Sequence, residues 1–276
     1  MDYKESPDQD LKIGLFSFVI DYDNQEKVTD IYPDILRIIN KNNHLDLIVF
    51  SGFTLRDKSY LNSLSESITN THSLIFLEVW VDEHEGKQQH KGYFFMGGKL
   101  FDRGIFQVFG DSKQINKNHT LMNKYLKHVS DTRIIKYRDV NICWIICGEQ
   151  NVVKNLQGDN NRVIFRIDEN QDLKSRFEKI IMANDIFINP THTQMGNQGK
   201  LSKRRAFFSK NKKLYCSVSN LLSNLNNTDT IDLERKLKTQ KTLQYCVYDG
   251  NEIRGEITEI TRRFIFKTYS ISGYFL

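Results

Sequence analysis

The chain has 276 residues, a formal net charge of +5, 39% hydrophobic and 12% aromatic residues, and four cysteines. That content supports a substantial core and excludes an intrinsically disordered chain, and so few cysteines exclude a disulfide-stapled scaffold, so the thiols are expected to be reduced. No apolar run reaches the roughly 18 residues of a membrane span, and the polar start Met1–Asp10 does not read as a signal peptide, so a cytoplasmic protein without a membrane partner is expected.

In chain order, Leu11–Ile20 predicts a strand covered on both sides, with Leu11, Ile13 and Leu15 on one face and Phe16, Phe18 and Ile20 on the other. A helix over Thr29–Asn42 follows from Ile31, Ile35, Ile38 and Ile39, with Pro33 tolerated in its first turn. Leu45–Phe50 is a second buried strand broken by Ser51-Gly52, and Asp57–Asn70 is helical through Leu61, Leu64 and Ile68. Ser73–Val81, Tyr93–Met96 and Ile105–Phe109 are further strands, and His119–His128 is a short helix.

Arg133–Tyr137 and Val140–Cys147 form a hairpin about Arg138-Asp139. Arg162–Ile167 is a strand, and Gln171–Ala183 is an amphipathic helix with Leu173, Phe177, Ile180 and Ile181 inward. Asp185–Asn189 is a strand ended by Pro190; Lys200–Lys210 is a basic helix, and Leu214–Val218 is again a strand. Ser223–Thr230 is a polar loop, and Leu243–Tyr248, Glu252–Ile257 and Arg263–Tyr269 close the chain as strands. Strands alternating with helices, with antiparallel pairs interleaved, indicate one α/β layered domain over residues 1–276.

The organising stretch is Ile142–Cys147, wholly apolar or thiol and stopped by Gly148-Glu149-Gln150. It reads as a buried strand entering a tight turn, with Cys147 at the carboxyl end, where open α/β sheets place their chemistry. A cysteine in such a run is more commonly a small buried hydrophobe. Cys143 and Cys147 lie four apart, which puts them on the same face of a strand, and no second Cys/His pair accompanies them, so no zinc site is expected. Glu78 interrupts the apolar run Leu74–Val81, where a carboxylate is costly unless paired or protonated. Its plainest reading is an ion pair or a strand end reaching water. His192 follows a strand end on a loop, where ligand-binding residues gather, although a surface histidine is commoner.

Lys200–Lys213 holds seven cations among fourteen residues. Such a run can bind phosphate backbones, but Leu201, Phe207 and Phe208 favour a core helix with a solvated basic face, and nucleic acid is not the expected partner. There is no phosphate-binding glycine loop, no serine elbow, and no cofactor is expected.

Several segments together resemble the carbon–nitrogen hydrolases of the nitrilase superfamily. Lys12-Ile13-Gly14-Leu15 is similar to their first strand, Asp46–Gly52 to their second, Ile145–Glu149 to the nucleophile elbow, and Asn184–Thr191 to the strand ending in Asn-Pro. Arg204–Phe208, Tyr215–Asn220 and the hairpin at Asp249–Ile253 follow in the family's order. The resemblance implies an α/β fold of four layers, an αββα sandwich often paired into homodimers, and hydrolysis of a small amide or nitrile through a cysteine thioester.

It also implies a Cys nucleophile, a Glu base and a Lys that stabilises the tetrahedral intermediate. Cys147 matches the nucleophile. Lys117, in Ile115–His119, is the best match for the lysine; Lys113 is the runner-up, and a solvated surface lysine is about as common an outcome. The base position is empty, because Ser51-Gly52 stands where Pro-Glu is usual, and Glu78 is the candidate replacement. Glu149, Thr191 and His192 are candidate substrate-lining residues, with Glu149 expected to support the elbow rather than move protons. Two readings remain: a cysteine amidohydrolase, and a catalytically degenerate binding domain that lacks the general-base Glu.

Overall fold

The computed structural model describes residues 10–21, 31–84, 87–160, 162–194, 196–223 and 230–274. The larger sheet runs in the spatial order Glu256–Ile260, Phe264–Ile271, Leu11–Asp21, Leu47–Phe50, Leu74–His84, Lys87–Met96, Lys99–Phe106. Leu11–Asp21, Leu47–Phe50 and Leu74–His84 are parallel, and the flanking strands are antiparallel. The second sheet runs Asn251–Ile253, Gln244–Tyr248, Leu214–Val218, Ile186–Pro190, Val140–Trp144, Ile134–Tyr137. It too is parallel at its centre, where Ile186–Pro190 lies between Val140–Trp144 and Leu214–Val218.

Period-two alternation divides the core. Leu11, Ile13, Leu15, Leu47, Val49 and Phe76 of the larger sheet meet Ile142, Trp144, Ile186, Ile188 and Cys216 of the second. On its other face the larger sheet packs Phe16, Phe18, Ile48 and Phe50 against Ile35, Ile38, Leu61 and Leu64 of the helices Tyr32–Lys41 and Lys58–Ser67. The second sheet sets Cys143, Ile145, Phe187 and Tyr215 against Met122, Leu126, Leu173, Phe177 and Phe208 from the helices His119–His128, Gln171–Ala183 and Gln198–Ser209. The layers therefore run helix, sheet, sheet, helix, and both faces of each central strand are apolar because both are covered. Trp144 locks the two sheets together: it is 1% exposed, meets Phe76 edge-on at 5.2 Å, and packs where a Cβ on Gly92 would come within 2.8 Å of its ring.

Several expectations change. The strand Val140–Cys147 ends at Trp144, and Cys147 opens a 3-10 turn, Cys147–Val152, at φ +42°. Cys143 faces the helices while Cys147 packs on the inter-sheet core, so the two thiols do not share a face. Glu252–Ile257 is two strands, Asn251–Ile253 and Glu256–Ile260, in different sheets. The break falls at Gly255, where a Cβ would lie 2.5 Å from the Tyr269 ring. A helix over Thr230–Thr239, seated through Leu233 and Leu237, was not foreseen, and 224–229 of the loop Ser223–Thr230 lie outside the described residues, as do 29 and 30 of the first helix.

The basic helix does not present a purely solvated cationic face. Arg204 bonds Asn151 and Asn155, Arg205 lies 3.5 Å over the Tyr245 ring, and both are buried. No helix among the described residues is long and apolar enough to cross a membrane, and no cluster of three or more His, Cys, Asp or Glu among them could hold a metal ion.

Candidate active site

Four segments converge where parallel strands of both sheets end: Ser51–Phe53 after Leu47–Phe50, Glu78 within Leu74–His84, the elbow at Cys147, and Thr191-His192 after Ile186–Pro190. The elbow comes first, because its shape turns the thiol. Continued alternation from Cys143 would send Cys147 to the helix side. The left-handed φ of +42° swings it instead onto the inter-sheet face. A non-glycine residue in that region carries strain, so the surroundings must hold it.

They do so with buried polar contacts. Glu149, fully buried, accepts the N–H of Ile146 at 2.9 Å and of Val108 at 2.6 Å and pairs with Arg133, which is equally buried and also donates to the Phe106 carbonyl. The Asn189 amide donates to the Ile145 carbonyl at 2.9 Å and the Cys147 carbonyl at 3.1 Å, and the Tyr215 hydroxyl donates to Asn189 Oδ1 at 2.9 Å. Gly148 rests on segment 107–110 so closely that a Cβ there would sit 1.6 Å from the Gly110 carbonyl oxygen. Glu149 thus belongs to the frame beneath the elbow, and its carboxylate is not presented to a substrate.

His192 is the side chain that meets the thiol. The Cys147 charge acts on its imidazole, and its Nε2 lies 2.8 Å from Glu78 Oε2 and 3.1 Å from Oε1. Its ring stacks on Phe53 at 4.0 Å and 6° and meets the His90 ring edge-on at 4.8 Å. Burial opposes protonation of His192, but the Glu78 charge and then the Cys147 charge outweigh it, raising its pKa to about 10. For Glu78, burial favours the neutral acid, yet the His192 charge and hydrogen bond, His90 and the Phe53 N–H at 2.8 Å hold its pKa below the ordinary carboxylate value. The pair is an imidazolium–carboxylate at neutral pH.

Gly52 makes room for this pair. A Cβ at position 52 would lie 2.3 Å from His192 Cδ2 and 2.9 Å from Glu78 Oε2. Asn220 clamps the two loops: its amide donates to the carbonyls of Gly52 at 2.7 Å and His192 at 3.0 Å, while its Oδ1 accepts the Phe18 N–H at 3.3 Å and the Ser51 hydroxyl. Thr191 is buried, with its hydroxyl donating to backbone carbonyls of Thr193 and Val218, so it shapes the loop rather than facing a substrate.

Of the residues singled out in the sequence, Cys147, His192 and Glu78 come together. Glu78 reaches Cys147 only through His192, with no direct hydrogen bond between them among the described residues. Among the described residues no hydrogen bond or ion pair links Lys117 to any of the three. The short helix Ser112–Ile115, closed by a capping box at Asp111, is followed by a turn that holds Lys117 at φ +55° and exposed. The cation beside the thiol is His192. Sequence reasoning placed His192 on the pocket wall and missed its pairing with Glu78; the buried carboxylate in an apolar run was the signal that a partner had to exist.

A cleft of about 300 Å³ is bounded by His90, Phe106, Gln107, Val108, Phe109, Gly110 and Gln114. His90 touches His192 and Gly110 abuts Gly148, so the cleft borders the neighbours of Cys147 on two sides.

No protein-family model and no curated protein sequence matches the chain. Solved structures do. It is similar to a CN-hydrolase superfamily protein from Xanthomonas campestris bearing an arsenic adduct in its active site, at 9% identity and TM-score 0.50, over 95% of this chain and 91% of that one. It is also similar to a carbon–nitrogen hydrolase from Helicobacter pylori G27, at 8% identity and TM-score 0.51, over 95% and 89%. A third is a mutant amidase from Nesterenkonia sp. AN1 with the acetamide moiety of fluoroacetamide added at its active-site cysteine, at 8% identity and TM-score 0.50, over 96% and 92%. This protein has the carbon–nitrogen hydrolase fold.

Proposed function

We propose that the protein hydrolyses small carboxamides through a thioester on Cys147, with His192 carrying the proton and Glu78 orienting the imidazole. The observation that carries this reading is the single imidazole that is paired with a buried carboxylate and feels the charge of the Cys147 thiol, an arrangement that turns a thiol into a nucleophile. The cysteine thiolate, its proton on His192, attacks the carbonyl carbon and forms the C–S bond. The C–N bond then breaks as the imidazolium gives its proton to the departing amine. Neutral His192 next takes a proton from water, the hydroxide displaces the thioester, and the carboxylic acid leaves with the thiolate restored. Glu78 stays ionised throughout, as suits a group whose task is to hold the ring and stabilise its charged form.

Ammonia release from propionamide, together with labelling by fluoroacetamide and peptide mapping, tests this. Cys147→Ala is expected to abolish release, and His192→Ala to lower it by at least about a hundredfold, in line with loss of a general acid–base. Turnover that survives Cys147→Ala would sink the reading. A protein that binds amides without any Cys147-dependent release would instead be the degenerate binding domain suggested by the absent carboxylate at position 52.

A further inference from the structure

Three arginines at the helix Gln198–Ser209 have no acidic partner among the described residues. Arg204 and Arg205 are buried on that helix, and half-buried Arg166 follows the strand Val163–Phe165. Arg205 donates to Gln198 Oε1 at 3.0 Å and covers the Tyr245 ring. The other two meet at Asn151: Arg166 Nε donates to its carbonyl at 2.6 Å, and Arg204 Nη1 to its Oδ1 at 2.7 Å. Arg204 Nε donates to Asn155 Oδ1 at 2.9 Å, and Arg166 Nη2 to the Val153 carbonyl at 3.3 Å. Every acceptor is neutral. Arg166 Nη1 and Arg204 Nη2 make no hydrogen bond among the described residues. The guanidinium nitrogens that are both unpaired and fully enclosed belong to Arg133 and Arg205, so these two keep contact with solvent.

The charges of this pair are left without an offset. Burial lowers the pKa of both arginines, and the Arg166 charge lowers that of Arg204 further, to about 10, so each is protonated at neutral pH and each disfavours the other. Asp168, two residues from Arg166, is engaged by Lys154 at 2.7 Å. Lys200 lies one turn before Arg204 and is exposed, and its carbonyl accepts the Asn155 amide at 3.2 Å, which puts a third cation on the same side of the helix. Two like charges drawn partly out of water onto neutral acceptors are costly, and an anion set between them removes that cost.

We propose that Arg166, Arg204 and Lys200 form a binding site for a phosphate dianion, free or as a monoester, with the open N–H groups of the two guanidinium forks taking different oxygens of one tetrahedral group. A carboxylate is matched by a single bidentate arginine, whereas a tetrahedral dianion has oxygens for two forks and charge for two cations. The site is built on the turn that follows Cys147, because Asn151, which both arginines hold, also donates to the Gly148 carbonyl at 2.7 Å. It stands independently of the hydrolytic reading.

Calorimetric titration of the full chain with inorganic phosphate, glycerol 3-phosphate and acetate, at matched ionic strength and slightly alkaline pH, tests this. Saturable binding of one phosphate group per chain is expected, with acetate much weaker. The tighter of the two phosphates tells whether the natural ligand is the free ion or an ester. Arg166→Gln should weaken binding by at least about tenfold, the lower range for a hydrogen bond to a charged group. Arg204→Lys, which keeps the charge and loses the fork, should do the same. Lys200→Gln should weaken it about threefold, as for one exposed ion pair. No saturable phosphate binding, acetate bound as tightly as phosphate, or unchanged affinity in Arg166→Gln and Arg204→Lys would overturn the assignment. Should both arginine variants fail to fold, unchanged affinity in Lys200→Gln, at an exposed position, would overturn it equally.

Discussion

His192 Cδ2 lies only 2.3 Å from where a Cβ on Gly52 would stand. The missing carboxylate of the second strand is thus not merely absent: its space is taken by an imidazole from a loop of the other sheet, backed by Glu78.

The first prediction follows from that exclusion. Gly52→Ala should displace His192 from its stack on Phe53 and lower the rate of Cys147 alkylation by about tenfold or more, the lower range for loss of a positioned base. Iodoacetamide kinetics read by peptide mapping measure it. An unchanged rate would show that the ring does not need its present position.

The same labelling should be selective. Cys143, Cys216 and Cys246 are buried, and burial pushes the Cys143 thiol up to about 12. Cys147, half-buried and within the electrostatic reach of His192, is expected to take up the reagent in the folded protein while the others react only after unfolding. Equal labelling of all four would remove the basis for a nucleophile.

Stability should fall on the alkaline side. The His192 pKa is raised from 6.5 to about 10 in the folded protein, so its contribution is complete below the unfolded value and is lost as pH rises through the folded one. Glu78, held below its ordinary value, contributes above that value and loses its share as pH falls through its folded pKa. Urea midpoints between about pH 6 and about pH 10 should therefore decline, and His192→Gln should flatten the decline. A parallel slope in both proteins would assign it to other groups.

The frame under the elbow gives the largest structural effect. Glu149→Gln leaves Arg133 charged and fully buried, which should cost on the order of 3 kcal/mol by urea denaturation. Replacing both partners with apolar residues, as Arg133→Met with Glu149→Leu, should recover part of that loss while leaving the Ile146 and Val108 amides without their acceptor. A single variant as stable as the parent would mean that water reaches the pair.

Much of the fold was legible locally. Alternation in Leu11–Ile20 assigned both faces correctly, and the stripes of Tyr32–Lys41 and Gln171–Ala183 named the residues that meet the sheets, because side-chain periodicity and burial act over a few residues. The short helix at Thr230–Thr239 escaped because its seat is tertiary: among the described residues Leu233 and Leu237 hold it, in a cluster with Val19, Leu221, Leu243 and Ile265.

At the site, the sequence by itself determined that a thiol ends a buried apolar run before a glycine, that Glu78 sits where a charge is costly, and that no acid follows Ser51. Only the tertiary structure decided what those facts mean together. His192 and Glu78 are 114 residues apart and belong to different sheets, so no periodicity links them, and their ion pair exists because the two sheets bring their strand ends to one place. Lys117 illustrates the converse: a local motif named it, and it sits exposed in a left-handed turn, because local pattern carries no information about which distant strand end a loop will face.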